Sequence, residues 1–137
     1  MSQKQQNIDN NDQGTITCLI AEDNHINQKI LMRFLNNLGV NADLAKDGRE
    51  AVEATKNKAY DLIFMDIQMP RMDGMEATKR ILNECQLEQK PVIIAVTANN
   101  SKDIEKNCFD IGMKDFISKP VSMKLIRSAL AKHFNFP

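Results

Sequence analysis

"DLIFMDIQMPRMDG", residues Asp61 to Gly74, runs four apolar side chains into an acid and then into a turn. Leu62-Ile63-Phe64-Met65 is short for a helix and suits a strand buried on both faces, as strands of parallel sheets are. Asp66 follows at once, with Pro70 and Gly74 marking the turn behind it. A carboxylate placed there stands at the mouth of the sheet, as a cap for the next element or as a working group.

The same grammar extends in both directions. "ITCLIAED", from Ile16, is a short apolar strand ending in the acids Glu22 and Asp23. In "NHINQKILMRFLNNLG", Ile26, Ile30, Leu31, Phe34, Leu35 and Leu38 recur at helical spacing, with Asn24 as N-cap and Gly39 as stop. "VNADLA" is a weaker strand, and "DGREAVEATKNKA" is a helix whose stripe passes through Ala51, Val52 and Ala54. After "YDLIFMD" and its turn come a third helix, "MEATKRILNEC", and the most apolar strand, "PVIIAVTA". "SKDIEKNCFDIG" reads as a short helix, "KDFIS" as a short strand and "SMKLIRSALAKHF" as a final amphipathic helix. Five strands alternating with five helices predict a doubly wound parallel sheet with helices on both faces, because right-handed crossovers carry each helix back over the sheet.

Composition narrows the function. The 137 residues suffice for one domain, and residues 1–15, rich in Asn, Gln and Asp, read as a flexible polar tail ahead of a domain over 16–137. Lysines and arginines balance aspartates and glutamates at 18 each, so no basic footprint for nucleic acid or an anionic membrane is expected. No stretch is long enough to span a membrane, and Cys18, Cys85 and Cys108 read as reduced, core or near-core thiols of a soluble cytoplasmic protein. Helix five is followed by only a few residues, which leaves no room for an output domain in this sequence.

In a sheet of this kind the ligand site lies outside the carboxyl ends of the strands, where strand order reverses. The ends deliver Glu22 and Asp23 from strand one, Asp66 from strand three, Thr97 and Ala98 from strand four, and Lys119-Pro120 after strand five. Two carboxylates about 4 Å apart repel by roughly 4 kcal/mol at an effective dielectric near 20, so three need a cation or a bound proton. Lys119 offsets part of that charge. A hard divalent ion with oxygen ligands, Mg²⁺ (or Mn²⁺), fits the remainder. A carboxylate beside such an ion, with an amine and a hydroxyl near, is arranged to accept a phosphoryl group by in-line attack.

"AEDN", "MDIQMPRMDG", "TAN" and "SKP", in this order and spacing, resemble the receiver domain of two-component signalling from Ile16 to about Phe134. "EDNxxNQ", "AxxGxEA" and "MDxQMPxMDG" are most similar to receivers of hybrid sensor histidine kinases. The resemblance implies a flavodoxin-like (CheY-like) fold with strand order 2-1-3-4-5. It implies Asp66 as phosphoacceptor, and a metal held by the side chains of Asp23 and Asp66, by Glu22 through water and by the backbone carbonyl of Gln68. It implies that Lys119 pairs with the phosphoryl group, that Pro120 follows a cis bond, and that Thr97 donates its hydroxyl while Ala98 leaves room. Phe116 takes the switch position, and Gln68 and Asn99 flank the phosphoryl site. The phosphodonor would be a histidine kinase or a histidine phosphotransfer domain, and the output a change of the face made by helix four, strand five and helix five. A monomer or a weak phosphorylation-linked dimer is expected, with no nucleic acid and no direct membrane contact. If the parent is a hybrid kinase, the chain is the cytoplasmic part of a membrane sensor.

Plainer readings stand beside these. Asp66 as a simple cap leaves Glu22, Asp23 and Lys119 unexplained, and Thr97 alone could be only a β-former. His25 reads as a loop residue and His133 as a partner of a helix dipole, needing no further role. Met65, Met69, Met72 and Met75 read as packing around one loop. Other functions are an aspartyl-phosphate phosphatase, which would place an acid where Gln68 stands, and a flavin carrier, whose phosphate "EDNHIN" would repel. A receiver used only for docking would not need the full acid, Thr and Lys set.

Overall fold

The side-chain period of two decides how the layers form. Along the strands, Leu19, Ala21, Ile63, Met65, Ile93 and Ala95 bury on one face of the sheet. Cys18, Ile20, Leu62, Phe64, Ile94 and Val96 bury on the other. Each apolar run is therefore continuous because both faces are covered.

The computed structural model describes residues 15–84, 90–99 and 101–136. The strands are β1 (Cys18–Ala21), β2 (Ala42–Ala45), β3 (Leu62–Asp66), β4 (Val92–Thr97) and β5 (Asp115–Ser118). They form one sheet in the order β2-β1-β3-β4-β5, with every pairing parallel. The helices are α1 (His25–Asn37), α2 (Gly48–Asn57), α3 (Gly74–Glu84), α4 (Lys102–Asp110) and α5 (Met123–Phe134). Residues of α2, α3 and α4 share one core, and residues of α1 and α5 share the other. The expected polar tail over residues 1–14 and Cys85, placed at the end of the third helix, lie outside the described residues.

Local chemistry sets the helix starts and stops. Asn24, Asp47, Ser101 and Ser122 cap α1, α2, α4 and α5, each accepting a backbone N–H from the first turn. Gly39, at φ +81°, gives the left-handed step that ends α1. Met65 is fully buried, while Met69, Met72 and Met75 pack at the edge of the same core, as expected.

Two readings change. β1 ends at Ala21, so Glu22 and Asp23 stand just beyond the strand, although the Glu22 N–H still bonds the Ala45 carbonyl at 3.0 Å. On α1 the inward stripe is narrower than the apolar spacing suggests: Leu31 and Leu35 are buried, but Ile26 is 68% exposed and Ile30 37%. An amphipathic stripe broader than its neighbours can cover leaves part of itself in solvent.

Candidate functional site

β3 is the middle strand, and the order reverses between β1 and β3, so Asp66 and the Glu22-Asp23 corner flank the switch point. Asp66 is the last residue of β3 and is 4% exposed. Glu22, at 1%, is buried deeper still, while Asp23 is exposed. Carboxylate oxygens of Glu22, Asp23 and Asp66 all lie within 4.8 Å of one another.

Lys119, one residue beyond β5, reaches into this group. Its Nζ lies 3.0 Å from Glu22 Oε1 and 3.5 Å from Asp66 Oδ2. Asp66 Oδ1 accepts the Gln68 N–H at 3.3 Å, and Glu22 Oε2 accepts the Asn24 N–H at 3.1 Å. Glu22 Oε1 is close enough to the amine for ion pairing, but among the described residues it has no partner in hydrogen-bond geometry. One lysine thus stands among three acids. Burial, and after it the Glu22 carboxylate, push the Asp66 carboxyl up from 3.8 to about 7, against the opposing pull of Lys119. A carboxyl raised in this way holds its proton more readily than a free one, which is one of the two ways in which the cluster's repulsion can be relieved.

The remaining rim residues come to the same end of the sheet. Thr97, the last residue of β4, is buried, and its Oγ1 accepts the Asn99 N–H at 3.1 Å. The Lys119 N–H bonds the Thr97 carbonyl at 2.9 Å, which ties the lysine's backbone to the end of β4. The Lys119-Pro120 bond is cis. Ala98, Asn99 and Gln68 are exposed around the opening, and Phe116, in β5, is partly buried against the α2-α3-α4 core.

Two glycines let neighbouring backbone reach the site. A Cβ on Gly74 would collide with the Asp66 carbonyl, and one on Gly48 with the Met72 carbonyl. The Gly74 N–H bonds the Ile67 carbonyl at 2.9 Å, and the Gly48 N–H bonds that of Met72 at 3.0 Å. Arg71, at φ +65°, completes the turn and lies 3.6 Å from Asp47.

Sequence reading gave Gln28 no role, yet it is a buried polar residue of α1 whose Nε2 donates to the Glu22 carbonyl at 2.7 Å. The available signal was a glutamine between Ile26 and Leu31 on a face meant for the core. His133 also does more than face a dipole, since its Nε2 lies 3.0 Å from Asp115 Oδ2 across β5 and α5. His25 opens α1 and is exposed. Cys18 and Cys108 are buried free thiols, both pushed up chiefly by burial.

The donor set suits a hard cation: clustered oxygens, two of the three carboxylates buried, at a spacing one ion can bridge. Comparison with known proteins agrees with the fold. The model of the response regulator receiver domain matches residues 18–131. Hybrid signal transduction histidine kinase K of Dictyostelium discoideum is 42% identical over 125 residues, which are 86% of this chain and 10% of the kinase. This chain therefore spans about a tenth of that relative's length. The receiver domain of a Pseudomonas aeruginosa sensor histidine kinase, solved with magnesium in its active-site cleft, is 32% identical with a TM-score of 0.79, covering 89% of this chain and 99% of that one. A co-crystal structure of the Saccharomyces cerevisiae histidine phosphotransfer protein Ypd1 with the receiver domain of the response regulator Ssk1 gives 35% identity and a TM-score of 0.80, covering 88% and 90%. With 18–131 matched by the family model and the strand order, acid cluster and lysine in place, the chain belongs to the response regulator receiver family, a module of two-component and phosphorelay signalling and not a catalytic enzyme family.

Proposed function

We propose that the chain accepts a phosphoryl group from a phosphohistidine onto Asp66, with Mg²⁺ (or Mn²⁺) in the acidic cleft. The observation that carries this reading is Asp66 itself, buried at the end of the central strand, with Glu22 and Asp23 beside it and Lys119 at 3.5 Å. Asp23 and Asp66 would hold the ion through their side chains, Glu22 through water and Gln68 through its backbone carbonyl. When bound, the ion supplies positive charge that favours the ionised Asp66 and shields the incoming phosphoryl oxygens.

The chain's own groups do the rest. An oxygen of ionised Asp66 forms the new O–P bond as the donor's N–P bond breaks, and the electron pair returns to the imidazole nitrogen. Lys119 moves from its carboxylate partners to a phosphoryl oxygen, and Thr97 gives its hydroxyl to another. Ala98 leaves space there, while Gln68 and Asn99 control water at the opening. The new phosphoryl adds close to two negative charges. Drawing Thr97 and Lys119 toward that charge moves the end of β4 and brings Phe116 inward, remodelling the α4-β5-α5 face. A monomer or a weak phosphorylation-linked dimer fits this reading.

A protein donor is supported by the exposed Ile26 and Ile30 on α1. Ile30 also lines a pocket of about 50 Å³ with Val96, Pro120 and Val121, and Glu22 and Lys119 reach into it. An apolar patch beside a charged cleft suits docking of a histidine-bearing helix or bundle. No helix among the described residues is long and apolar enough to cross a membrane, and the cytoplasmic placement is part of the proposal.

The test is transfer from a phosphorylated histidine phosphotransfer protein, followed by intact-mass measurement. Wild type should gain one phosphoryl mass only with Mg²⁺ present, and Asp66→Asn none. Equal labelling of Asp66→Asn would overturn the assignment.

A further inference from the structure

A buried amide is costly unless it is bonded, and Gln28 spends its bond on one atom. The residue is 6% exposed on α1, and its Nε2 donates to the Glu22 carbonyl at 2.7 Å, reaching back across the β1-α1 corner. That carbonyl lies one residue past the end of β1. The Glu22 N–H is held by the Ala45 carbonyl at 3.0 Å, and Oε2 by the Asn24 N–H at 3.1 Å. Those two bonds hold the preceding peptide and the Glu22 side chain, whereas Gln28 holds the carbonyl of the Glu22-Asp23 peptide itself.

Asp23 depends on that restraint more than its neighbours do. Asp66 is fixed by a strand, Gln68 and Lys119, and Glu22 by burial, Asn24 and Lys119. The exposed Asp23 carboxylate has no hydrogen bond or ion pair among the described residues, so its place within 4.8 Å of the other two acids comes from the backbone. The peptide plane between Glu22 and Asp23 sets the direction in which Asp23 leaves the chain.

We propose that Gln28 is a positioning residue of the acidic cleft: by holding the Glu22 carbonyl it aims Asp23 at the site where the cation binds. This rests on the reading of the cleft as a Mg²⁺ site. Groups that orient metal-binding carboxylates at one remove change metal affinity by about 10- to 100-fold when removed.

Calorimetric titration of the full chain with Mg²⁺ separates the possibilities. Gln28→Leu keeps the volume and removes the donor, and should bind Mg²⁺ at least about 10-fold more weakly than wild type. Gln28→Asn, an amide one methylene shorter, should lose affinity as well, and it carries the test if the leucine variant does not fold. Leu35→Ala, a core change on the same helix, should lower the thermal midpoint while leaving Mg²⁺ affinity at the wild-type value. A folded Gln28 variant with wild-type Mg²⁺ affinity overturns the proposal alone. Wild type that binds no Mg²⁺ overturns the metal reading beneath it.

Discussion

The two ends of the sheet carry similar numbers of acids and treat them differently. At the amino end each acid has its partner. Asp43 takes Lys58 at 2.8 Å and the Tyr60 hydroxyl at 2.6 Å, Asp61 accepts the Thr17 N–H at 2.9 Å, and Asp115 sits 3.0 Å from His133 and 3.7 Å from Lys132. At the carboxyl end Glu22 and Asp66 share Lys119, and Asp23 beside them has no partner among the described residues. The hydrogen bonds from Lys58 and Tyr60 hold the Asp43 carboxyl below its ordinary range, whereas burial and Glu22 raise that of Asp66. A fold can satisfy its acids, as the amino end does, and the excess at the carboxyl end singles out the cleft where we propose that a cation and a phosphoryl group bind.

The largest expected difference between the ends is in pH dependence. The folded value of Asp66, about 7, lies above its ordinary 3.8, so the folded protein holds a proton that the unfolded chain releases. Its contribution to stability in metal-free protein is full below about pH 4 and is lost as pH rises through about 7. Urea unfolding of wild type and Asp66→Asn between pH 4 and 8 reads it. The wild type should weaken relative to the variant as pH rises, and parallel curves would break the contrast.

Next in size is Lys119→Met, which leaves Glu22 buried beside Asp66 without a cation. Removing one partner of a buried pair costs about 3 kcal/mol or more, and chemical denaturation in metal-free buffer should show it. Gly74→Ala forces a methyl group onto the Asp66 carbonyl. Overpacking of this kind costs about 1–3 kcal/mol and should also slow labelling of Asp66, which a stability measurement paired with a phosphorylation rate would register. At the amino end, Asp43→Asn breaks an exposed pair and should cost under about 1 kcal/mol in the same unfolding assay. A larger loss there would mean that the two ends do not differ as described.

How much of this could be read from sequence follows from what each signal depends on. The strands were legible because burial on both faces removes polar residues from "LIFM" and "VIIAV" alike. The rim was legible because the residues just past those runs must project at one end of a parallel sheet. The strand order came from the resemblance, and the parallel register agrees with it. What escaped depended on partners distant in sequence. Helical spacing marks Ile26 and Ile30 as apolar, but only the packed helix shows that Leu31 and Leu35 take the core and leave those two to solvent. Gln28 stood in the motif "EDNxxNQ", but its role was not legible because its partner is a backbone carbonyl, which carries no side-chain signature. Asp115 and His133 meet across 18 positions, which no local pattern reports.

The central claim, that the carboxyl-end acids are only partly compensated while the amino-end acids are fully paired, is tested most directly by carboxyl carbon NMR titration of Asp66 and Asp43, without metal and then with saturating Mg²⁺. The account predicts that Asp66 titrates near 7 without metal and falls on adding Mg²⁺, while Asp43 titrates below the ordinary 3.8 and is indifferent to the ion. Asp66 titrating near 3.8 in the metal-free protein, or failing to respond to Mg²⁺, would contradict it.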